Sequence, residues 1–358
     1  MIFLKIILNY VICFLSYINI YKCKFLNIKT SNYFILKKTP DIIDQRSKRF
    51  YGLDRDNLSK SVNFVRSTSF SLSLRALFSL KNIIVLNSFH DLIFLKKKFS
   101  KEKFKIIQNL FHKKIFEIIQ FLEIKKFRMI DDYRLMDLFL PICKKLNIYS
   151  EGFMHGRISE NLDFQKNLKY FSFTKYYVWN KYFKKKILKI NNNYRSNQII
   201  IRNHLNNFKI NTKIKKNGIL IIEEDGVNLG FYKKIILNLI LRNKYPIYFK
   251  FRPNNKINKN FEKFLINKKI KILHKENIYQ TFVNKNIIFL IGFNSSLLIE
   301  CSYYNILPIM IKSRHNRVKD LINDNLFYVI NLNYLKKDLL KIRNIEKNIY
   351  KIKNKIWN

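Results

Sequence analysis

The chain has 358 residues, which at roughly 150 residues per domain predicts two domains. Hydrophobic residues make up 48% and aromatics 15%, enough to bury a core, so the net charge of +45 does not mark a disordered chain. Only 7 Gly and 5 Pro exclude collagen-like and turn-rich all-β designs, and 4 Cys without a CxxC pair exclude a disulfide framework or a Cys-based zinc site.

Residues 2–20 are almost continuously apolar and approach bilayer-spanning length, but no charged stretch precedes them and no small-residue cleavage site follows. They read as a buried strand or helix, or as a membrane-inserted helix, and not as a cleaved leader. Beyond residue 30, short β-rich runs alternate with helical stretches, which predicts strands at 33–36, 83–86, 128–130, 149–153 and 176–179. The clearest helix spans 101–124, where Phe104, Ile107, Leu110, Phe111, Ile115 and Ile118 recur at three and four against a lysine-rich face. From 189 to 217 Asn and Lys dominate with little apolar periodicity, so this stretch reads as a linker. A second series follows, with strands expected at 219–222, 247–251, 270–273, 287–291, 309–311 and 328–330 and helices at 231–241 and 296–304. The last run, 334–357, is basic and helical in pattern. The expected organisation is α/β: a first domain over 1–190, a linker over 191–217, a second domain over 218–333, and a C-terminal helix over 334–358 packing back on the domains. Two such Rossmann-like domains are expected to face a cleft, and open parallel sheets bind ligands beyond the carboxyl ends of their strands.

The basic balance favours anionic partners, phosphates or acidic lipid head groups. Lys, Asn, Ile, Phe and Tyr also have AT-rich codons, so a biased genome yields the same composition. No RNA- or DNA-binding module is recognisable, and the aromatics sit in apolar runs, so no specific nucleic-acid partner is expected; a non-enzymatic basic nucleic-acid binder is kept as an alternative.

Four segments gather scarce Gly and Pro with polar residues at strand ends. Glu151-Gly-Phe-Met-His-Gly156 places His155 between glycines, where an imidazole can take a proton from a hydroxyl near neutral pH. Glu223-Glu-Asp-Gly226 offers three carboxylates, fitting a metal or sugar and equally a solvated acidic turn. Lys250-Phe-Arg-Pro253 brings two cations to a strand end, a pattern suited to phosphate. Gly292-Phe-Asn-Ser-Ser-Leu-Leu-Ile-Glu300 turns from strand to helix and adds the hydroxyls of Ser295 and Ser296. No G-x-G-x-x-G, Walker P-loop, HExxH or G-x-S-x-G is present.

In this order, Asp131-Asp132, His155-Gly156, Tyr177-Val-Trp-Asn180, Lys250-Phe-Arg-Pro253 and Ser295-Ser296 with Glu300 resemble the GT-B glycosyltransferases and glycerophosphotransferases of bacterial surface (capsule) polysaccharide assembly, polysialyltransferase-like members included. The resemblance covers about half the chain. Met154 stands where that family usually has Gln, and Arg252 where a His would precede Pro253. It implies a metal-independent transferase, without a cofactor, that moves a sugar or a polyol phosphate from a nucleotide-activated donor to a glycan or lipid-linked glycan. Lys250, Arg252, Ser295 and Ser296 would take the donor phosphates and Glu300 the ribose. His155 would serve as base, with Asp132 or Glu151 to orient or replace it. The +45 balance and the apolar start of the chain lead to the further expectation of a cytoplasmic chain peripheral on the inner face of the cytoplasmic membrane, held to its anionic surface through basic helices such as 101–124 and through the apolar N-terminus. An isomerase of the nucleotide-sugar 2-epimerase type shares the two-domain architecture and is the alternative within enzymes.

Overall fold

The computed structural model describes residues 2–36, 58–67, 70–79, 82–86, 100–131, 133–154, 156, 158–159, 168–170, 172–205, 218–224, 226–240, 245–252, 257–274, 276–313, 316, 318–335 and 345–358. Their strands are runs of Ile, Val, Phe and Tyr, and what ends many of the intervening elements is asparagine. Asn27, Asn82, Asn147, Asn305 and Asn325 all take positive φ, and most of them directly follow a helix. In a glycine-poor chain, Asn fills the left-handed position that terminates a helix, because its short polar side chain tolerates that conformation best after Gly.

The chain divides into two units, Met1–His155 with Lys166–Val178 and Asn191–Ile200, and Gly156–Gln165 with Trp179–Ile190 and Ile201–Asn358. In the first, helix α1 (Ile2–Phe25) precedes β1 (Thr30–Leu36), β2 (Val62–Ser67), α2 (Phe70–Ser79), β3 (Ile83–Val85), α3 (Lys101–Phe121), β4 (Lys126–Ile130), α4 (Tyr133–Lys145), β5 (Tyr149–Phe153) and β6 (Lys175–Val178). The sheet runs β3-β2-β1-β4-β5-β6-β7, where β7 is Ile199–Ile201. Sequence periodicity missed β2 and β7, and β7 lies inside the stretch read as a linker: three isoleucines among Asn and Lys are too few to show a period. One face of this sheet carries Tyr33, Phe64 and Phe127 against Phe139 of α4. The other carries Phe34, Val65, Ile130 and Phe153, packed with Ile12 of α1 and Ala76 of α2.

The apolar run at the start of the chain is α1, and its inner face explains why. Ser16 accepts from the amide of Val85, and Asn19 donates to the carbonyl of Ile83, so α1 satisfies the open edge of β3. Ile12, Ile20 and Cys23 are buried on the same side. Among the described residues no helix is long and apolar enough to cross a membrane.

The second unit holds α5 (Lys181–Ile190), β8 (Gly218–Ile222), α6 (Leu229–Ile240), β9 (Ile247–Lys250), α7 (Lys259–Asn267), β10 (Lys271–Leu273), α8 (Ile278–Asn284), β11 (Ile287–Gly292), α9 (Leu297–Tyr303), β12 (Leu307–Lys312), α10 (Lys319–Asn323), β13 (Tyr328–Asn331) and α11 (Ile345–Trp357). Its sheet runs β10-β9-β8-β11-β12-β13, with every neighbouring pair parallel. This is a doubly wound order whose direction reverses between β8 and β11. Helix α5 precedes the expected domain boundary in sequence but belongs here: Lys186 pairs with Asp320 at 2.7 Å, and Tyr182 hydrogen-bonds Asp324. The C-terminal helix α11 packs on α9, α5 and β12, with the Trp357 indole donating to Ser302 at 2.9 Å.

Candidate functional site

The reversal point of the second sheet concentrates what the chain has of precisely held polar backbone. Strand β8 is buried along its length and ends in Glu223 and Glu224. These adjacent carboxylates reach in opposite directions. Glu223 Oε2 accepts from the amide of Arg252, at 2.8 Å, beyond the end of β9. Glu224 Oε1 and Oε2 accept from the amides of Phe293 and Asn294, at 2.7 and 2.6 Å, beyond the end of β11. The Glu224 amide donates to the buried Tyr232 hydroxyl at 2.8 Å. The acidic turn thus clamps both neighbouring strand exits.

Gly292 is required by that clamp. A Cβ at this position would stand 2.7 Å from Glu224 Oε1 and 3.2 Å from Ile222. The far side of the loop is fixed by Asn316, whose amide donates to the carbonyls of Phe293 (3.0 Å) and Ile311 (3.2 Å) while its Oδ1 accepts from the Ser313 amide at 2.6 Å. Residues 294–296 emerge from this frame partly exposed, as does Arg252. The Ser295 hydroxyl accepts from the Leu297 amide at 3.2 Å. Asn294, Ser295, Ser296 and Arg252 therefore leave a rigid strand-end frame as an amide, two hydroxyls and a guanidinium, a set that suits an oxyanion.

Two expected donor residues sit differently. Lys250 is buried, and its ammonium donates to the carbonyls of Leu273 (3.3 Å) and His274 (3.2 Å), which spends two of its three donors on tying β9 to the exit of β10. Burial pulls its pKa below the ordinary lysine value, with Glu276 opposing. Glu300, expected at a ribose, is fully buried on α9: the Tyr279 hydroxyl donates to it and the His204 imidazole lies 3.6 Å away, itself packed on Trp179. A ribose contact at Glu300 requires this packing to open.

In the first unit, His155 and Asp132 lie outside the described residues. Glu151 is buried on β5 with both oxygens engaged, Oε1 to Lys126 Nζ at 2.9 Å and Oε2 to Arg128 Nε at 3.1 Å, and the Tyr177 hydroxyl adds a contact at 3.3 Å. Arg128 continues the row to Asn32, and Asn32 to Asn63. So Glu151 balances the charge of a polar row across the sheet and is not presented as an open base. Gly152 has a packing reason: a Cβ there would meet the Phe173 ring at 2.3 Å. Asp131, at the exit of β4, accepts from the buried Tyr176 hydroxyl at 2.6 Å, and burial together with this carboxylate pushes the Tyr176 pKa well up.

The roles of Glu224 and Asn316 were not legible in the sequence. An acidic turn reads the same whether it binds metal, faces water or clamps amides, and only Gly292 at a strand end hinted at a close approach.

No protein-family model matches the chain, and no curated protein matches its sequence. Solved structures match its fold. The S. aureus MnaA–UDP structure is 9% identical over 92% of this chain and 93% of that one, with a TM-score of 0.56. UDP-GlcNAc 2-epimerase from Neisseria meningitidis, bound to UDP-GlcNAc, is 11% identical over 91% and 94%, with a TM-score of 0.53. CalG4, the calicheamicin glycosyltransferase, is 6% identical over 91% and 94%, with a TM-score of 0.52. The fold is thus GT-B-like, the architecture these solved structures share.

Proposed function

We propose that the protein is a glycosyltransferase that binds a nucleotide-activated donor at the strand exits of β8, β9 and β11 and passes the sugar, or a polyol phosphate, to a glycan. The observation that carries this reading is the paired clamp of Glu223 and Glu224, which holds the exits on both sides of the topological switch point through backbone amides. Arg252 with Ser295 and Ser296 then meets the donor phosphates, where fixed donors offset the charge that develops on the leaving group. Lys250 and Glu300 support this frame from behind: the first ties β9 to β10, the second anchors α9. Two of the similar structures hold UDP and UDP-GlcNAc.

His155 is the proposed base for the acceptor hydroxyl, with Asp132 as the carboxylate that orients or replaces it; Glu151 stays in a charge-balancing role. The proposed setting is surface polysaccharide assembly at the inner face of a membrane, on a glycan or lipid-linked glycan acceptor.

A second reading, a nucleotide-sugar 2-epimerase, is favoured by the epimerases among the similar structures. One experiment separates the two. The purified chain is screened by thermal shift against CMP-, CDP-, UDP- and GDP-linked sugars, since a cognate donor stabilises the folded state by mass action. The stabilising compound is then incubated alone. A transferase releases nucleotide only when a glycan acceptor is added, whereas an epimerase yields the 2-epimer without one. Stabilisation by none of these compounds overturns both readings. In a transferase, His155→Ala should keep donor binding and lose about 10² to 10⁴ in turnover.

A further inference from the structure

We propose that the outer faces of α1 and α3 form a side-on docking surface for a bilayer containing anionic lipid. The reading rests on the proposed membrane setting only for the choice of lipid; the surface itself is argued from its own residues. Helix α1 has two unlike sides. Its inner side is fixed to the edge of β3 through Ser16 and Asn19. Its outer side carries Tyr10, Phe14, Tyr21 and Phe25, which are 72%, 65%, 65% and 89% exposed. These positions recur at helical spacing, so the exposed rings form one stripe along the axis.

Helix α3 widens the stripe. Phe121 meets Tyr21 edge-on at 5.6 Å, Lys114 lies over Tyr17 at 5.4 Å, and Leu110 and Ile106, on the same face as Lys114 and Phe121, are exposed. A soluble surface rarely leaves a contiguous aromatic and aliphatic band of this kind in water.

Charge selects the occupant. Beside the stripe Lys22 and Lys113 are exposed, Lys24 and Lys114 lie over Phe121 and Tyr17, and Glu117, on the same face of α3, is paired with Lys114 at 3.8 Å. Glu123, just beyond α3, is occupied by Lys24 and Lys29. Two copies of this face brought together would press lysines on lysines, whereas an anionic bilayer meets the apolar band with acyl chains and the lysines with head groups. Tyrosines suit the boundary, with ring in lipid and hydroxyl in water. The helix lies in the plane of the membrane and does not cross it, because crossing would strip Ser16 and Asn19 from the backbone of β3.

The test is flotation of the purified full-length chain with vesicles of phosphatidylcholine alone and of equal parts phosphatidylcholine and phosphatidylglycerol. The expected result is binding to the anionic vesicles that weakens as salt is raised. The variant Tyr10→Ser/Phe14→Ser/Tyr21→Ser should lose at least about tenfold in vesicle affinity while keeping its urea midpoint, since the replaced rings are exposed. The charge reversal Lys22→Glu/Lys113→Glu should lose binding to the anionic vesicles. Wild-type binding by both variants overturns the proposal. So does a dimer by light scattering that dissociates in the triple-serine variant, which would assign the face to a second copy. No donor or acceptor enters this assay, so its failure leaves the transferase reading standing, and failure of the donor screen leaves the docking surface standing.

Discussion

At the strand exits of the second sheet, side chains hold backbone: Glu223 and Glu224 take the amides of Arg252, Phe293 and Asn294, and Asn316 takes two carbonyls. In the first sheet the carboxylates hold side chains, Asp131 with Tyr176 and Glu151 with Lys126 and Arg128. A clamp on backbone is indifferent to the identity of the residues it holds, so the shape of the loop does not depend on the side chains of the residues whose amides are taken. A clamp between side chains consumes both partners. The same α/β layering thus yields a preformed frame in one unit and an internally balanced polar row in the other.

The largest expected effect breaks the frame. Glu224→Ala removes two charge-assisted hydrogen bonds and strands two amides, and should cost about 3 kcal/mol in urea unfolding, with loss of donor stabilisation in the same preparation. Gly292→Ala attacks the same contact from the other side, because its methyl group must displace the carboxylate. About 1 to 3 kcal/mol is expected, and the double variant should fall short of the sum of the singles, since both act on one interaction. Full additivity would disconnect Gly292 from the clamp.

In the first unit, Tyr176→Phe leaves the buried Asp131 carboxylate without its hydroxyl donor. It should cost about 1 to 2 kcal/mol by chemical denaturation, with no change in donor-induced thermal shift if the two frames act separately.

The smallest effect concerns Glu123, whose carboxyl is held down to about 2 by hydrogen bonds from Lys24 and Lys29. Because the folded value lies below the ordinary one, the contribution is present above the usual carboxylate range and is lost as pH falls toward 2. Glu123→Gln should flatten that acid-side slope and change little at neutral pH, as expected of an exposed pair. An unaltered acid profile would mean that the pair does not persist in solution.

Much of the architecture was readable in the chain. The strands of the second unit announce themselves as isoleucine-rich runs because both faces of a parallel sheet are covered, and β5 was placed residue for residue. Strands β2 and β7 escaped, since Asn63 and Arg66 interrupt one and the other is too short to carry a period. For the candidate site, residue types mark the strand ends but not what their side chains contact. Strand ends with Gly, Pro and charge pointed to the β8, β9 and β11 exits. Lys250, Glu300 and Glu151 turn inward, to carbonyls, a tyrosine and a pair of cations, and in the sequence a charged residue reads alike whether it does so or turns outward to a ligand. Turn chemistry hid too, because this chain writes with asparagine what most chains write with glycine.

The edge cover of β3 has a consequence in time. Ser16 leaves the ribosome 69 residues before its partner Val85, an interval of about 3 to 14 s at typical elongation rates. Through that interval α1 has neither the strand it will seal nor the helix beside it, and both its polar pair and its aromatic stripe are without their folded surroundings. Helix α1 is therefore made well before it can be finished, and whatever receives its greasy side in that interval acts before β3 exists to claim the other.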